Sequence, residues 1–195
     1  GYYGSPPYQL GLLVSAARLE PGVAENVDFV FTAHERDASV ESIVASVEEQ
    51  QGDLLAASAY AWTHRKLIRV LEALQARGSS PPHVVFGGPS TTGRFGEGLL
   101  SRHPNLSAVV EGEGEPAFRD ICRSLVADPA ADPFRAARNT VTRGPAGLDR
   151  SRSGHRVLQL DETPSPYLEG ILPVDASPLF YETNRGCPYR CSFCY

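Results

Sequence analysis

Three of the four cysteines in this 195-residue chain, Cys187, Cys191 and Cys194, fall within its last nine positions. They sit too close together to serve as a disulfide framework, and their CxxxCxxC spacing asks for a metal. A short loop of this kind can wrap three thiolates around one face of a cubane 4Fe-4S cluster. Three ligands leave one iron open, and the amino and carboxylate groups of S-adenosylmethionine can chelate such an iron, placing the sulfonium beside an electron donor. Phe193, just before the last cysteine, would give an apolar surface near the adenine. The rival chemistry is a zinc site built from the Cys191/Cys194 pair with His155 or Cys187, although zinc sites usually supply two separated pairs. Cys122 falls on the apolar stripe of a helix and reads as a small core residue.

A second group of residues is suited to holding a ligand rather than a metal. Ser58-Ala-Tyr60-Ala-Trp62-Thr63 puts hydroxyls and two aromatic rings at the end of an apolar run, with Arg65 shortly after. Gly87-Gly88-Pro89-Ser90 and Glu111-Gly112-Glu113-Gly114-Glu115 supply glycines that let backbone come close to a bulky ligand. Taken singly, either glycine loop reads equally well as a tight turn between strand and helix.

The elements that must position these residues follow an alternating pattern. Leu10, Leu13, Val14 and Ala17 form a helical stripe after Pro6 and Pro7, and Val27 to Phe31 reads as a short strand. Ser39 caps a helix through Gln50, and Leu54 to Tyr60 has the continuous apolar character of a strand buried on both faces. Thr63 is placed to cap the next helix, striped by Leu67, Val70, Leu71 and Leu74. Val84 to Phe86, a helix near Phe95 to Ser101, Ala108 to Val110 and a helix through Phe118, Ile121, Cys122 and Leu125 complete the series. Strands separated by helices imply right-handed crossovers and a parallel sheet covered on both faces, an α/β doubly wound domain whose ligands bind beyond the carboxyl ends of the strands. A typical five-stranded version needs one more strand before Pro6, which is expected upstream of Gly1, and a chain starting at Gly1 without Met suggests a fragment. The pattern divides the chain into a domain over residues 1–127 and a linker over 128–178, in which only Thr140 to Thr142 and Val157 to Leu160 look extended. A second domain then starts over 179–195, with a strand at Leu179 to Thr183 and the loop that delivers Cys187.

The net charge of -5, with no basic stripe, argues against a nucleic-acid partner. No apolar run approaches the roughly 18 residues of a membrane span, and no signal peptide is evident, so a cytoplasmic location is the default expectation.

The stretch Asn184-Arg-Gly-Cys-Pro-Tyr-Arg-Cys-Ser-Phe-Cys-Tyr195 resembles the radical SAM superfamily, whose motif is CxxxCx(aromatic)C. Ser58-x-Tyr60-x-Trp62, Gly87-Gly88-Pro89, Glu111-Gly112-Glu113 and Leu160-Asp-Glu-Thr-Pro-Ser-Pro-Tyr-Leu168 precede it in one order. That series resembles the cobalamin-binding class of radical SAM enzymes over nearly the whole chain. The resemblance implies a flavodoxin-like (Rossmann) domain holding cobalamin across its strand ends, followed by the start of a partial (β/α) radical SAM barrel. The corrinoid's nucleotide tail would be lined by Gly87, Gly88 and Gly112 to Glu115. The DxHxxG motif that gives cobalt a histidine in mutase-type proteins is missing, since His34 and His64 lack its pattern. Trp62, with Arg65 as second choice, is therefore expected on the lower face of cobalt. An aromatic packed between sheet and helix is the plain alternative for Trp62.

The activity implied is methyl transfer to carbon. One S-adenosylmethionine methylates cobalamin, and another is cleaved at the cluster to a 5'-deoxyadenosyl radical that removes hydrogen from a small-molecule or peptide substrate. The substrate radical then takes the methyl from methylcobalamin. An electron donor such as flavodoxin or ferredoxin is the implied partner, and the Tyr60/Trp62 loop is similar to that of carbapenem methyltransferases in antibiotic biosynthesis. Ring contraction or cyclisation by the same cofactors, a methylthiotransferase with an additional cluster, and a non-catalytic cobalamin-binding module are the other readings. For the second of these, Cys122 alone cannot supply the additional ligands.

Overall fold

The computed structural model describes residues 8–32, 34, 37–151, 160–174 and 179–186. The helices are α1 (Tyr8–Ala17), α2 (Val23–Asn26), α3 (Val40–Gln50), α4 (His64–Arg77), α5 (Gly93–Arg102) and α6 (Gly114–Ala127). The strands are β1 (Leu54–Ser58), β2 (His83–Gly87), β3 (Ala108–Val110), β4 (Thr140–Gly144) and β5 (Gly147–Arg150). They form one sheet in the order β1-β2-β3-β4-β5, parallel through β3 and antiparallel from there on. The α/β fold expected from the alternating pattern is present, with a mixed rather than wholly parallel sheet.

Successive strand residues face opposite sides, so a sheet covered by helices on both sides needs apolar residues at every position. Val84, Phe86 and Val109 pack with Leu71 of α4 and Leu99 and Leu100 of α5. Val85, Ala108 and Val110 turn the other way, onto Ala117 and Ile121 of α6 and onto Phe134. Two further clusters join the outer helices: Val44 and Val47 of α3 against Val70 and Leu74 of α4, and Ala17, Val23 and Cys122 among α1, α2 and α6. Cys122 is a core residue, and burial pushes its thiol up to about 12.

Four local expectations are revised, the first being that Leu179 to Thr183, expected as a strand, joins no ladder among the described residues. Val27 to Phe31, also expected as a strand, joins no ladder among the described residues. The outer edge of β1 is also unpaired among the described residues, and a cavity of about 500 Å3 lies beside it, bordered by Thr32 and His34 as well as Leu55 to Ser58. Residues 140–150, read from sequence as linker, form a hairpin that extends the sheet. Arg143 fastens this hairpin by donating to the carbonyls of Leu100, His103 and Leu106, cationic hydrogen bonding suited to the end of α5. Thr63 stands at the N-cap position of α4 without capping it, because its hydroxyl accepts the Tyr60 N–H instead. Ser39 does cap α3, accepting from the Ser42 N–H at 3.1 Å. No helix among the described residues is long and apolar enough to cross a membrane.

Candidate functional site: a cleft at the carboxyl ends of the parallel strands

β1, β2 and β3 end at Ser58, Gly87 and Val110, and the loops beyond them converge on a cleft of about 290 Å3. Its lining includes Ser58, Tyr60, Gly87, Gly88, Gly112, Glu113, Gly114 and Glu115, together with Gln9, Leu10, Leu12 and Leu13 of α1 and with Glu182 and Arg185. The glycine loops and Ser58-x-Tyr60, separated in sequence, thus share one site. The larger cavity beside β1 reaches Ser58, Tyr60, Trp62 and Thr63, but core side chains such as Leu55, Val70 and Leu74 make up much of its wall. It is a gap at the flank of the sheet, whereas the cleft stands where open parallel sheets receive ligands.

The loop after β1 is tied to the loop after β2 through backbone. Ala59 N–H donates to the Gly87 carbonyl at 2.7 Å, and Ser90 N–H donates to the Ala59 carbonyl at 3.0 Å. Gly88 has φ +96°, and a Cβ there would lie 2.9 Å from the Ala59 oxygen and 3.2 Å from its nitrogen. Its missing side chain makes room for protein backbone. Pro89 then opens a single 3-10 turn through Thr91, whose buried hydroxyl lies 2.8 Å from the carbonyl oxygens of both Gly88 and Val110.

Beyond this frame the aromatic residues stand outward. Trp62 is 73 % exposed and stacks on Tyr60, with ring centroids 5.0 Å apart and planes 9° from parallel. Burial, and then the negative charge of Glu182, raise the Tyr60 phenol above its ordinary value, so it stays neutral. Arg65 is exposed on the first turn of α4. His64 is engaged within the loop, its Nδ1 3.2 Å from the Tyr60 carbonyl and its ring edge-on to Phe95.

The loop after β3 is held by charge. Glu111 accepts the Gly93 N–H at 2.9 Å and pairs with Arg150 of β5, which also pairs with Glu97. Glu111 is not among the residues lining the cleft. Gly112 has φ +81° with nothing within 4 Å of where a Cβ would stand, so this backbone opens onto free space. Glu115, on the first turn of α6, is paired with Arg185 at 2.7 Å. Burial works against the Arg185 charge, but the hydrogen bonds it donates to Glu115 and Glu182 prevail and raise its pKa above the ordinary value. Sequence reasoning missed Arg185 and Glu182 as neighbours of the cleft, since nothing in their spacing reveals which strand ends they cross.

Further down α6, fully buried Asp120 is bound by Arg138 at 2.6 and 2.9 Å and by Arg123 at 2.9 Å. Burial opposes its charge, yet the Arg138 hydrogen bonds outweigh it and hold the carboxyl below its ordinary value of 3.8. Cys187, Cys191, Cys194 and Phe193 lie outside the described residues, as does His155. Among the described residues no group of three or more His, Cys, Asp or Glu could hold a metal ion.

The cleft suits the nucleotide tail of a corrinoid in kind: open backbone at Gly112, a hydroxyl at Ser58 and apolar wall from Leu12, Leu13 and Val110. A profile for the B12 binding domain matches residues 3–122. The chain is 35% identical over 197 residues to 2-(S-pantetheinyl)-carbapenam-3-carboxylate methyltransferase of Streptantibioticus cattleyicolor, a match covering 96% of this chain and 28% of that protein. It is 33% identical over 200 residues to the cobalamin-dependent radical SAM methyltransferase TokK of Streptomyces tokunonensis, again covering 96% and 28%. The chain therefore spans little more than a quarter of the length of these curated relatives. Among solved structures, the cobalamin-dependent S-adenosylmethionine radical enzyme OxsB with aqua-cobalamin bound shares the fold, with a TM-score of 0.64 at 16% identity over 85% of this chain and 22% of that one. With its glycine loops gathered at the ends of three parallel strands, this chain belongs to the B12-binding domain family.

Proposed function

We propose that this chain is the cobalamin-holding front part of a radical SAM methyltransferase that acts on carbon. The observation that carries the reading is the convergence of Ser58, Gly87, Gly88 and Gly112 to Glu115 on one cleft at the carboxyl ends of β1 to β3. Gly112 and Ser58 would admit and hydrogen-bond the tail of the corrinoid. The exposed Trp62 is the proposed neighbour of the lower face of cobalt, with Arg65 the second candidate, and no histidine is assigned that place. The bound cofactor would supply methyl-carrying chemistry. The chain's own residues would supply placement, Ser58 and the Gly112 backbone holding the tail and Trp62 standing beside the corrin.

Cys187, Cys191 and Cys194 would hold a 4Fe-4S cluster whose open iron takes S-adenosylmethionine, with Phe193 against the adenine. The likeness to carbapenam and TokK methyltransferases supports a small-molecule substrate in antibiotic biosynthesis, and an electron donor of the flavodoxin or ferredoxin type would reduce the cluster.

Anaerobic reconstitution of the full-length polypeptide with iron, sulfide and hydroxocobalamin tests this. Uptake of one cluster and one corrinoid, with methyl transfer to a carbapenam-type acceptor, is expected. A colourless protein, or zinc in place of iron, refutes it. Cobalamin without a cluster would instead indicate a binding module.

A further inference from the structure

Residues 179–186 lead directly into Cys187, and they are docked on the domain at several points. Phe180 N–H donates to the Tyr167 hydroxyl at 3.0 Å, and Tyr167 stacks on Tyr8 of α1 with centroids 5.9 Å apart. The most buried of these contacts is ionic. Arg185 Nη2 lies 2.7 Å from Glu115 Oε1 and 2.6 Å from Glu182 Oε2, and its Nε donates to the same Glu182 oxygen at 3.2 Å. The Arg185 side chain is only 15% exposed and that of Glu115 only 10%.

Such a pair is short, largely desolvated and directional, so it carries positional information that an exposed ion pair does not. Its two ends matter because of where they are anchored. Glu115 sits on the first turn of α6, in the wall of the cleft, and Arg185 sits two residues before the first cysteine of the cluster motif. Glu182 ties the same guanidinium back to its own segment, so the arginine cannot swing away without breaking both contacts.

We propose that Arg185 is a positioning residue that, through Glu115, sets the distance between the cysteine loop and the corrinoid cleft. This rests on the reading of the cleft as the cobalamin site. Two cofactors held by separate parts of one polypeptide need a fixed separation for a group to pass between them and one substrate, and Arg185 is the charged link that joins those parts in the described residues.

The test uses the full-length polypeptide, loaded anaerobically with cluster and cobalamin, the cobalamin reduced to its paramagnetic cobalt(II) form and the cluster to its paramagnetic state. Pulsed dipolar EPR then reads the separation of the two centres. The unmutated protein should give one narrow distance. Arg185→Met should broaden or shift it while iron content stays at the unmutated level, and should weaken cobalamin binding by about tenfold. Glu115→Gln approaches the link from the other side and should give the same broadening, and the double variant should bind cobalamin no more weakly than either single one. An unchanged narrow distance in Arg185→Met or in Glu115→Gln, or affinity losses that simply add, overturns the inference alone. Failure of the unmutated protein to take up cobalamin overturns the reading beneath it as well.

Discussion

The loop after β1 and the loop after β3 border the same cleft, but they are held in different ways. Residues 58–63 are fixed through neutral contacts, namely the Ala59 backbone against Gly87 and Ser90 and the Thr63 hydroxyl against the Tyr60 N–H. Residues 111–115 are fixed by charge, Glu111 to Arg150 and Glu115 to Arg185, on a helix whose buried Asp120 is gripped by Arg138. The first arrangement leaves Tyr60 in the lining of the cleft with the exposed Trp62 stacked on it, and the second uses the Glu111 and Glu115 carboxylates within the protein. Acidic residues in a candidate site are therefore not evidence that the site binds cations. Here Glu115 stands in the wall with its carboxylate paired to Arg185, and Gly112 opens onto the cleft opposite Ser58 and Tyr60 of the neutral loop.

The largest expected effect is on the charged side. Asp120→Asn leaves Arg138 without its buried partner and should lower stability by about 3 kcal/mol, a figure at the low end for broken buried pairs because Arg138 is 37 % exposed. Denaturant midpoints measure it. Because the folded pKa of Asp120 is depressed, its contribution is present above the ordinary carboxylate value of 3.8 and lost as pH falls through the lower folded value. The acid limb of the thermal stability curve should therefore be flatter in Asp120→Asn than in the unmutated protein.

Next come two glycines that look alike in sequence. Gly88→Ala drives a methyl into the Ala59 backbone at positive φ and should cost about 2 kcal/mol. Gly112→Ala meets open space and should cost about 1 kcal/mol from its φ alone. Gly112→Ala should nevertheless weaken cobalamin binding more per unit of lost stability, as titration at equal folded fraction would reveal. Equal ratios for the two variants would erase the distinction between a glycine that serves the backbone and one that faces the cleft.

Trp62→Ala should change stability by less than about 0.5 kcal/mol, since the ring is 73 % exposed. It should alter the visible spectrum of bound cobalamin. A substantial loss of stability with an unchanged spectrum would mean that the ring is packing and that the neutral loop is no freer than the charged one.

The smallest effect is a rate of hydrogen exchange at the other border of the β1 loop. The outer edge of β1 carries no ladder among the described residues. Amides of Leu54–Ser58 directed to that edge should therefore exchange faster than those bonded to β2, and equal protection would show that the edge is covered.

Much of this was legible in the residues themselves. Apolar runs too continuous for a half-exposed strand located β1, β2 and β3, because burial on both faces of a sheet leaves no polar alternation, and helical stripes at Val40 to Val47 and Leu67 to Leu74 located the helices before and after β1. The order of the three loops along the chain was enough to anticipate a shared site, since parallel strands joined by crossovers must bring their carboxyl ends to one edge. Cys122 was placed correctly for the same reason, its position on an apolar stripe.

What the residues alone could not decide is which partner each group would choose. The β4–β5 hairpin has an exposed outer strand with no apolar period, so its membership of the sheet depends on Arg143 finding the end of α5 far away in sequence. Val27 to Phe31 has the composition of a strand but acquires no ladder among the described residues, because pairing belongs to neighbours and not to a segment. The glutamates of the 111–115 loop gave no sign that they would be taken up by Arg150 and Arg185, since charge pairing across tens of residues is set by the fold that brings the charges together.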